Sequence, residues 1–319
     1  MSKSRPDTLI EALRHFADPD VCQDFIVQMR WPSGVVACPT CGRTDVRYIS
    51  TRRIWECKDK HAKRQFSVKV GTIFEDSPIK LDKWLAAMWL LASDKNGISS
   101  YELARALGVT QATGWFMLQR IRFVMQDEDG GLLNGTVEVD ETFIGGKARF
   151  MHKDRRAVAI KGTGGAGKVA VMGLLDRHGP DGHSTVRTNV VDSRKRGALS
   201  GQVRKHVQAG SEVMTDAFRS YNDLSRDYVH GVIDHAEKYV EGQIHTNGIE
   251  NFWALLKRAI KGTYVSVEPF HLFRYLDEEA FRFNTRKASD GERFERLASK
   301  VTGKRLTYAE LTLTPTTPG

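Results

Sequence analysis

The sequence predicts an α/β protein with a mixed sheet flanked by helices, preceded by a small cysteine-bearing β module and a helical segment. Three observations carry this. Residues 131–290 mix short apolar strand patterns with amphipathic helical ones. Three of the four cysteines, Cys38, Cys41 and Cys57, fall within short alternating runs between 36 and 70. Between these regions, residues 80–126 keep a sustained helical periodicity.

The chain has 319 residues, enough for a catalytic domain with a sizeable core and one or two small N-terminal modules. With 40% hydrophobic and 27% charged residues, its composition is ordinary for a globular protein. The formal net charge of +9 favours a polyanionic partner such as nucleic acid, and also fits a merely basic surface. The N-terminus MSKSRPDTLIEALRHF has no apolar run behind a charged start. The most apolar stretch, Trp84 to Ala92, is about half a membrane span and reads as a buried helix, so no membrane partner is expected. Three clustered cysteines of four are too few and too local for a disulfide scaffold, which points to a reducing cytoplasm and, with DNA as partner, to the nucleoid.

Residues 1–35 form an N-terminal helical segment, with one amphipathic helix or two over 6–30 and Leu9, Leu13, Phe16, Phe25, Ile26 and Met29 as apolar points. Residues 36–75 form the β module, with runs such as Val46-Arg47-Tyr48-Ile49 and Arg53-Ile54-Trp55-Glu56. In 76–130, one helix spans Lys80 to Ser93. A second, SSYELARAL, is capped by Ser99 or Ser100 with Glu102 near its positive end. After a turn at Gly108-Val109-Thr110, a third helix runs from Gln111 to Met125. Helix, glycine turn and helix make a helix-turn-helix pattern; an αα-corner in a bundle is the plainer alternative.

Residues 127–135 read as a linker into the region 131–290. Strands are expected at Gly135–Asp140, Lys168–Asp176, Ser184–Val191, Glu212–Thr215 and, more weakly, Tyr228–Ile233. Helices are expected at Arg196–Val207, Ala217–Leu224, Thr246–Ile260 and Pro269–Phe283. Three strands, then helix, strand, helix, strand, helix is the order of the RNase H-like fold. Residues 291–319 form a C-terminal extension whose tail, LTLTPTTPG, reads as disordered.

Acidic residues in this region suit phosphodiester chemistry. Two Mg²⁺ (or Mn²⁺) ions roughly 3.5–4 Å apart activate one oxygen and stabilise another, and such hard cations take carboxylate ligands. Asp140 ends the strand TVEVD, where Val137 and Val139 alternate with Glu138 and Asp140 to give an apolar and an acidic face. Glu141 is a rival, but points to the opposite side. Asp216 ends SEVMTD directly before a helix, where an N-cap role is the alternative. In HTNGIENFWALLKRAIKGTY, Ile249, Phe252, Leu256, Ala259 and Ile260 gather on one helical side. Glu250, Ala254, Lys257 and Lys261 share another, so a glutamate for metal and a lysine for phosphate lie on one stripe; a solvated Glu/Lys face reads the same way.

The blocks VEVDETFIGGK, VMTDAFRSY and HTNGIENFWALLKRAIKGTY, followed by HLFRYLDEEAFRFNTRK, resemble those of bacterial insertion-sequence DDE transposases with an N-terminal zinc ribbon, a group related to the eukaryotic Merlin elements. The resemblance spans about residues 20–287. It implies an RNase H-like catalytic domain with Asp140, Asp216 and Glu250 as metal ligands and Lys257 on the transposon-end phosphate. Some members of the group use Asn in the third position, which keeps Asn247 as an alternative to Glu250. Glu278 and Arg282 are spaced to pair on one helical face, with Arg286 beyond. The resemblance gives them an active-site or DNA role, against a plain helix-stabilising ion pair.

Cys38-Pro-Thr-Cys41-Gly is a zinc knuckle, and Cys57 supplies a third thiolate. The family pattern places a second Cys-x-x-Cys here, but position 60 is Lys; His61 can complete a Cys₃His structural Zn²⁺ site, with Cys22 a more distant candidate. Arg43, Arg47, Arg52, Arg53, Lys63 and Arg64 suit DNA phosphates, with Trp55 or Tyr48 either packing the module or touching bases. Gln111, Arg120, Lys257, Arg258, Lys261 and Arg282 complete the expected DNA contacts. Gly162 to Lys168 matches most of a phosphate-binding P-loop, but Val169 stands where Ser or Thr is needed and the glycines precede a strand, so a plain loop is expected.

The expected function is a DNA transposase that binds terminal inverted repeats, cuts 3′ ends and joins them to target DNA, working as a homodimer or larger synaptic assembly. A silent transposase-derived DNA-binding regulator and an RNase H-like nuclease without strand transfer are the alternatives.

Overall fold

A computed structural model describes residues 6–126, 130–145, 168–179, 182–191, 196–216, 221, 223–233 and 245–312. The elements run α1 (Leu9–His15), α2 (Pro19–Arg30), β1 (Val46–Ile49), β2 (Ile54–Cys57), β3 (Gln65–Ser67), α3 (Leu81–Ser93), α4 (Ser100–Leu107), α5 (Gln111–Met125), β4 (Thr136–Ile144), β5 (Val169–Asp176), β6 (Thr185–Val191), α6 (Arg196–His206), β7 (Glu212–Asp216), β8 (Val229–Ile233), α7 (Asn247–Ala259), α8 (Leu272–Asn284), α9 (Asp290–Ala298) and α10 (Tyr308–Thr312). They form two units, one of residues 1–125 with 287–319 and one of residues 126–286. The P-loop-like stretch 162–167, most of the expected helix 217–224 and the tail 313–319 lie outside the described residues.

In the first unit, β1, β2 and β3 form an antiparallel meander. Its register sets Tyr48 opposite Trp55 and Trp55 opposite Phe66, so the three rings pack on one face, with Trp55 stacked on Phe66 and tilted against Tyr48. Trp55 is therefore buried packing, whereas Tyr48 stays exposed and accepts a hydrogen bond from Gln23 Nε2. The N-terminal helical pattern resolves into two helices: Thr8 caps α1 in a capping box with Glu11, and Asp18 caps α2 ahead of Pro19. The apolar stretch is α3, whose Trp84, Leu85, Met88, Trp89 and Leu91 are all buried.

Ser99, rather than Ser100, caps α4 in a capping box with Glu102, and Gly108 closes it in the left-handed conformation at φ 60°. Helix α5 then crosses close against α4: a Cβ at Gly114 would stand 2.9 Å from the Ser100 carbonyl oxygen. The segment after 287 returns to this unit. Phe294 of α9 packs among Phe16, Phe25 and Trp89, and Ile73 N–H donates to the Val301 carbonyl.

In the second unit, five strands lie in the order β6-β5-β4-β7-β8. β4, β5 and β6 pair antiparallel, while β4–β7 and β7–β8 pair parallel. This is the mixed sheet that the order of elements predicts. One face buries Val137, Val139, Met172, Leu174 and Val213 with Leu199 and Val203 of α6. The other buries Val171, Leu175 and Val186 with Ile249, Phe252, Trp253 and Leu256 of α7 and Leu272, Leu276 and Phe283 of α8.

One boundary is corrected. β4 does not end at Asp140 but continues to Ile144, because Glu141, Thr142, Phe143 and Ile144 pair onward with Met172, Val171, Ala170 and Val169. Asp140 is thus a mid-strand residue, paired with Gly173. No helix among the described residues is long and apolar enough to cross a membrane.

Candidate active site and metal centre

Parallel pairing brings the first two acids together. Val139 of β4 pairs with Thr215 of β7, so the next residues, Asp140 and Asp216, lie side by side on the same face of the sheet. Helix α7 crosses that face. It can approach because β5 carries Gly173 there: a Cβ at this position would stand 2.6 Å from Trp253 Cζ2 and 2.7 Å from Ile249 Cδ1. The close crossing lets the Trp253 indole N–H donate to Asp140 Oδ2 at 2.9 Å.

Along α7, Ile249, Phe252, Trp253, Leu256 and Ala259 are buried, while Asn247, Glu250, Ala254 and Arg258 are exposed and Lys257 is half-buried; Lys261, in the turn that follows, is exposed as well. The acidic and basic stripe therefore faces outward, and Glu250 accepts a hydrogen bond from the Thr246 hydroxyl at 3.2 Å. Glu141 points to the opposite face of β4, where the buried Tyr221 hydroxyl donates to Oε1.

Burial pushes the Asp140 carboxyl up to about 6, opposed by the Glu141 N–H and the Trp253 indole and reinforced by the charges of Asp216 and Glu250. The three acids are thus near enough to repel, and a hard divalent cation shared among oxygen ligands would relieve that repulsion. The donor set fits Mg²⁺ or Mn²⁺. Among the described residues these acids do not converge into a metal-sized cluster; another set of side chains does.

That set is Cys38, Cys41, Cys57 and His61, whose ligand atoms all lie within 4.8 Å of one another. Gly42, at φ 75°, turns the chain so that its N–H donates to the Cys38 carbonyl, forming the knuckle. Cys57 ends β2, and His61 Nε2 lies 3.5 Å from Cys38 Sγ while Nδ1 lies 2.6 Å from the Ala62 carbonyl. The tautomer with its proton on Nδ1 leaves Nε2 free to ligate. Burial raises the Cys38 thiol, but the Cys41 and Thr40 N–H groups and the neighbouring thiols bring it down to about 7. Three sulfurs and one nitrogen at this spacing fit a closed tetrahedral Zn²⁺ site. The alternative ligand Cys22 is elsewhere: its thiol donates to the Phe16 carbonyl, and burial pushes it up to about 12.

The expected DNA contacts divide. Arg52 is exposed and donates to Gln65 Oε1. Arg53 is partly exposed and forks onto both oxygens of Asp20, and Arg64 Nε donates to the Cys57 carbonyl. Gln111 Nε2 donates to Ser100 Oγ at 2.8 Å. Two expectations are corrected. Arg120 is buried, with its guanidinium donating to the Ile73, Glu75 and Leu306 carbonyls, so it holds the unit together and does not face DNA. Arg282 is buried between Glu278 and Glu279, which is the ion pair that the spacing foresaw. Arg286 donates to the Ser184 carbonyl and hydroxyl.

Sequence reading missed Trp253, Gly173 and the partners of Glu138. Trp253 had a visible signal, since it stands three residues after Glu250 on the side facing the sheet. Gly173 had none, because its role depends on which helix crosses it.

Residues 132–284 match the ISXO2-like transposase domain family, and residues 18–61 match the transposase zinc-ribbon domain. An uncharacterized protein in the transposable element ISH50 of Halobacterium salinarum is 27% identical over 258 residues, covering 77% of this chain and 84% of that protein. An uncharacterized transposase-like protein of Haemophilus influenzae is 35% identical over 100 residues, covering 31% of this chain and 80% of that protein. With the five-stranded mixed sheet and the Cys₃His cluster, these matches establish that the chain belongs to the zinc-ribbon group of insertion-sequence DDE transposases.

Proposed function

We propose that this transposase binds the terminal inverted repeats of its element, cleaves their 3′ ends and transfers them to target DNA at Asp140, Asp216 and Glu250. The observation that carries the reading is the β4–β7 register, which sets Asp140 beside Asp216 under the helix bearing Glu250. Two Mg²⁺ or Mn²⁺ ions held by these carboxylates, with Asn247 as the alternative third ligand, would supply activation of the attacking oxygen and stabilisation of the leaving one.

The residues position DNA for two in-line displacements. In the first, water attacks phosphorus at the transposon end, the P–O3′ bond breaks, and a 3′-hydroxyl is released. In the second, that hydroxyl attacks a target phosphodiester, forming a new P–O3′ bond and freeing a target 3′-hydroxyl. Lys257, almost two helical turns from Glu250 on the same stripe, would hold the end phosphate, with Arg258 and Lys261 beside it on the exposed surface. The Cys₃His cluster would hold a structural zinc. Arg52, Arg53, Arg64 and Gln111 would contact the inverted repeat, and a dimer or larger assembly on chromosomal DNA would hold two ends together.

The test is a strand-transfer assay with labelled end DNA and Mg²⁺ or Mn²⁺. Wild-type protein should give nicked ends and joined products. Asp140→Asn, Asp216→Asn and Glu250→Gln should each lower both by at least about 1,000-fold while end binding stays near wild type. Nicks without joining would identify a nuclease, and neither product would identify a silent DNA-binding regulator. Substantial cleavage by any one variant removes that residue from the site.

A further inference from the structure

Glu138 and Asp140 share one face of β4, yet the structure gives them different surroundings. Asp140 accepts from the Trp253 indole and feels the charges of Asp216 and Glu250. Glu138 is 1% exposed, and both of its oxygens are engaged. Oε1 accepts from Arg177 Nε at 2.8 Å, and Oε2 accepts from the backbone N–H of Ile249 at 2.9 Å.

Ile249 is the third residue of α7, and its N–H is one that a helix cannot satisfy internally. The usual acceptor is the N-cap side chain, here Thr246. Thr246 makes no such bond; its hydroxyl donates to Glu250 Oε1. Glu138, on a strand 111 residues away in sequence, supplies the cap instead and sets a carboxylate at the positive helix end. Arg177 completes the connection. Its Nη2 donates to the His245 carbonyl at 2.6 Å and lies 2.9 Å from His245 Nδ1, just before the helix begins. Gly248 makes room, since a Cβ there would stand 2.9 Å from Glu138 Oε2 and 3.1 Å from Oε1.

We propose that Glu138, Arg177 and His245 form a latch that fixes the start of α7, and thereby places Glu250 opposite Asp140 and Asp216. They are positioning residues: they hold the third carboxylate through the helix backbone without ligating metal themselves. The inference rests on the assignment of those three acids to the metal site. Freeing the N-terminal turn lets Glu250 move relative to the two strand-borne acids. Metal affinity and turnover should then fall, while the end-binding surface of the first unit is untouched.

The test uses the full-length protein as Glu138→Gln, Arg177→Ala and Arg177→Lys. Mn²⁺ binding is titrated directly by electron paramagnetic resonance, alongside the Mn²⁺ dependence of cleavage, the Kd for end DNA and the melting temperature. Glu138→Gln and Arg177→Ala should weaken Mn²⁺ binding at the acidic site about 10- to 100-fold. They should lower kcat with little change in KM for end DNA and recover activity at high Mn²⁺, while Arg177→Lys, which keeps the charge facing Glu138, should retain part of the parental Mn²⁺ binding. Folded variants that bind Mn²⁺ like the parent overturn the latch, as does lost cleavage that tracks melting and ignores Mn²⁺. Should Glu138→Gln not fold, Gly248→Ala leaves every latch side chain in place, crowds the carboxylate, and must give the same weakened binding. Asp140→Asn is run in parallel. If it abolishes cleavage while the latch variants behave as parent, the latch alone fails; if it leaves cleavage intact, the site assignment fails and takes the latch with it.

Discussion

The two candidate metal sites are built in opposite ways. Cys38, Cys41, Cys57 and His61 come from one short stretch of chain and converge within 4.8 Å. Asp140 and Asp216 come from two neighbouring strands whose register sets them side by side, and Glu250 from the helix that crosses the same face over Gly173. The first set offers four ligands and leaves no room for substrate, as a structural zinc site requires. The second set is looser and partly exposed, which would let a phosphate complete the shell of a bound cation. A local motif can depend on its metal for its shape, whereas a site that also admits substrate needs a scaffold that stands without the ions.

The largest effect that separates them is therefore metal removal. Zinc bound to a small ribbon of this kind contributes on the order of 10 kcal/mol of apparent binding free energy, which is folding free energy for the module. Stripping the full chain with a strong chelator, or replacing Cys57 with Ala, should collapse the β1–β3 meander and abolish end binding. Omitting Mg²⁺ should leave the fold intact and abolish only cleavage. Circular dichroism and end-binding assays read both arms. An unchanged spectrum and unchanged binding after complete zinc removal would erase the contrast.

The next effect is smaller and opposite in sign to the usual consequence of damaging a site. The Asp140 carboxyl rises from 3.8 to about 6 on folding, chiefly through burial. The native state therefore holds this proton more tightly than the unfolded chain. The metal-free protein loses stability as pH climbs from about 4 through 6, and the deficit is constant above that. A difference of about two pH units corresponds to roughly 3 kcal/mol as an upper figure. Asp140→Asn keeps an acceptor for the Trp253 indole but carries no charge. At pH 7 without divalent metal it should melt higher than wild type, with the gap closing toward pH 4 and shrinking when Mg²⁺ is added. An Asn variant that melts lower at pH 7 would mean that burial of the Asp140 charge does not cost the fold stability.

What could be read from the sequence follows the same division. Cys38, Cys41, Cys57 and His61 are close in sequence, so spacing and donor chemistry are enough to group them, including His61 where the family pattern fails at Lys60, and the structure brings the four together. The strands and helices of the second unit were legible because their apolar periods match the faces they bury, as in α7. The end of β4 was misplaced because an acid in mid-strand reads as a stop, and only pairing with β5 shows that the strand continues past it. Arg120 and Arg282 read in sequence as DNA contacts because a guanidinium looks the same whether it meets phosphate or buried carbonyls and carboxylates. The Glu138–Arg177–His245 contacts had no signal, since they join three segments far apart in the chain.

Gly173 gives the finest test of the idea that packing, and not metal, builds the acidic site. The residue has no chemistry and lies on β5, which carries none of the three acids. A methyl group at its position would meet Trp253 Cζ2 at 2.6 Å, Ile249 Cδ1 at 2.7 Å and Trp253 Cη2 at 2.7 Å. Both neighbours are buried on α7 and packed against Val171 and Leu175, so neither can swing aside into solvent. Gly173→Ala must push the helix off the sheet, at about 1–3 kcal/mol of overpacking. The displacement stretches the bond from Trp253 to Asp140 and carries Glu250 away from the two strand acids. Cleavage should fall more than the modest loss of thermal stability explains, and the Trp emission should shift as the indole loses its carboxylate partner. The zinc module, in the other unit, should keep its chelator sensitivity unchanged. If Gly173→Ala instead cleaves at the parental rate with its helix displaced, the acids do not depend on this crossing and the packing account of the site is wrong.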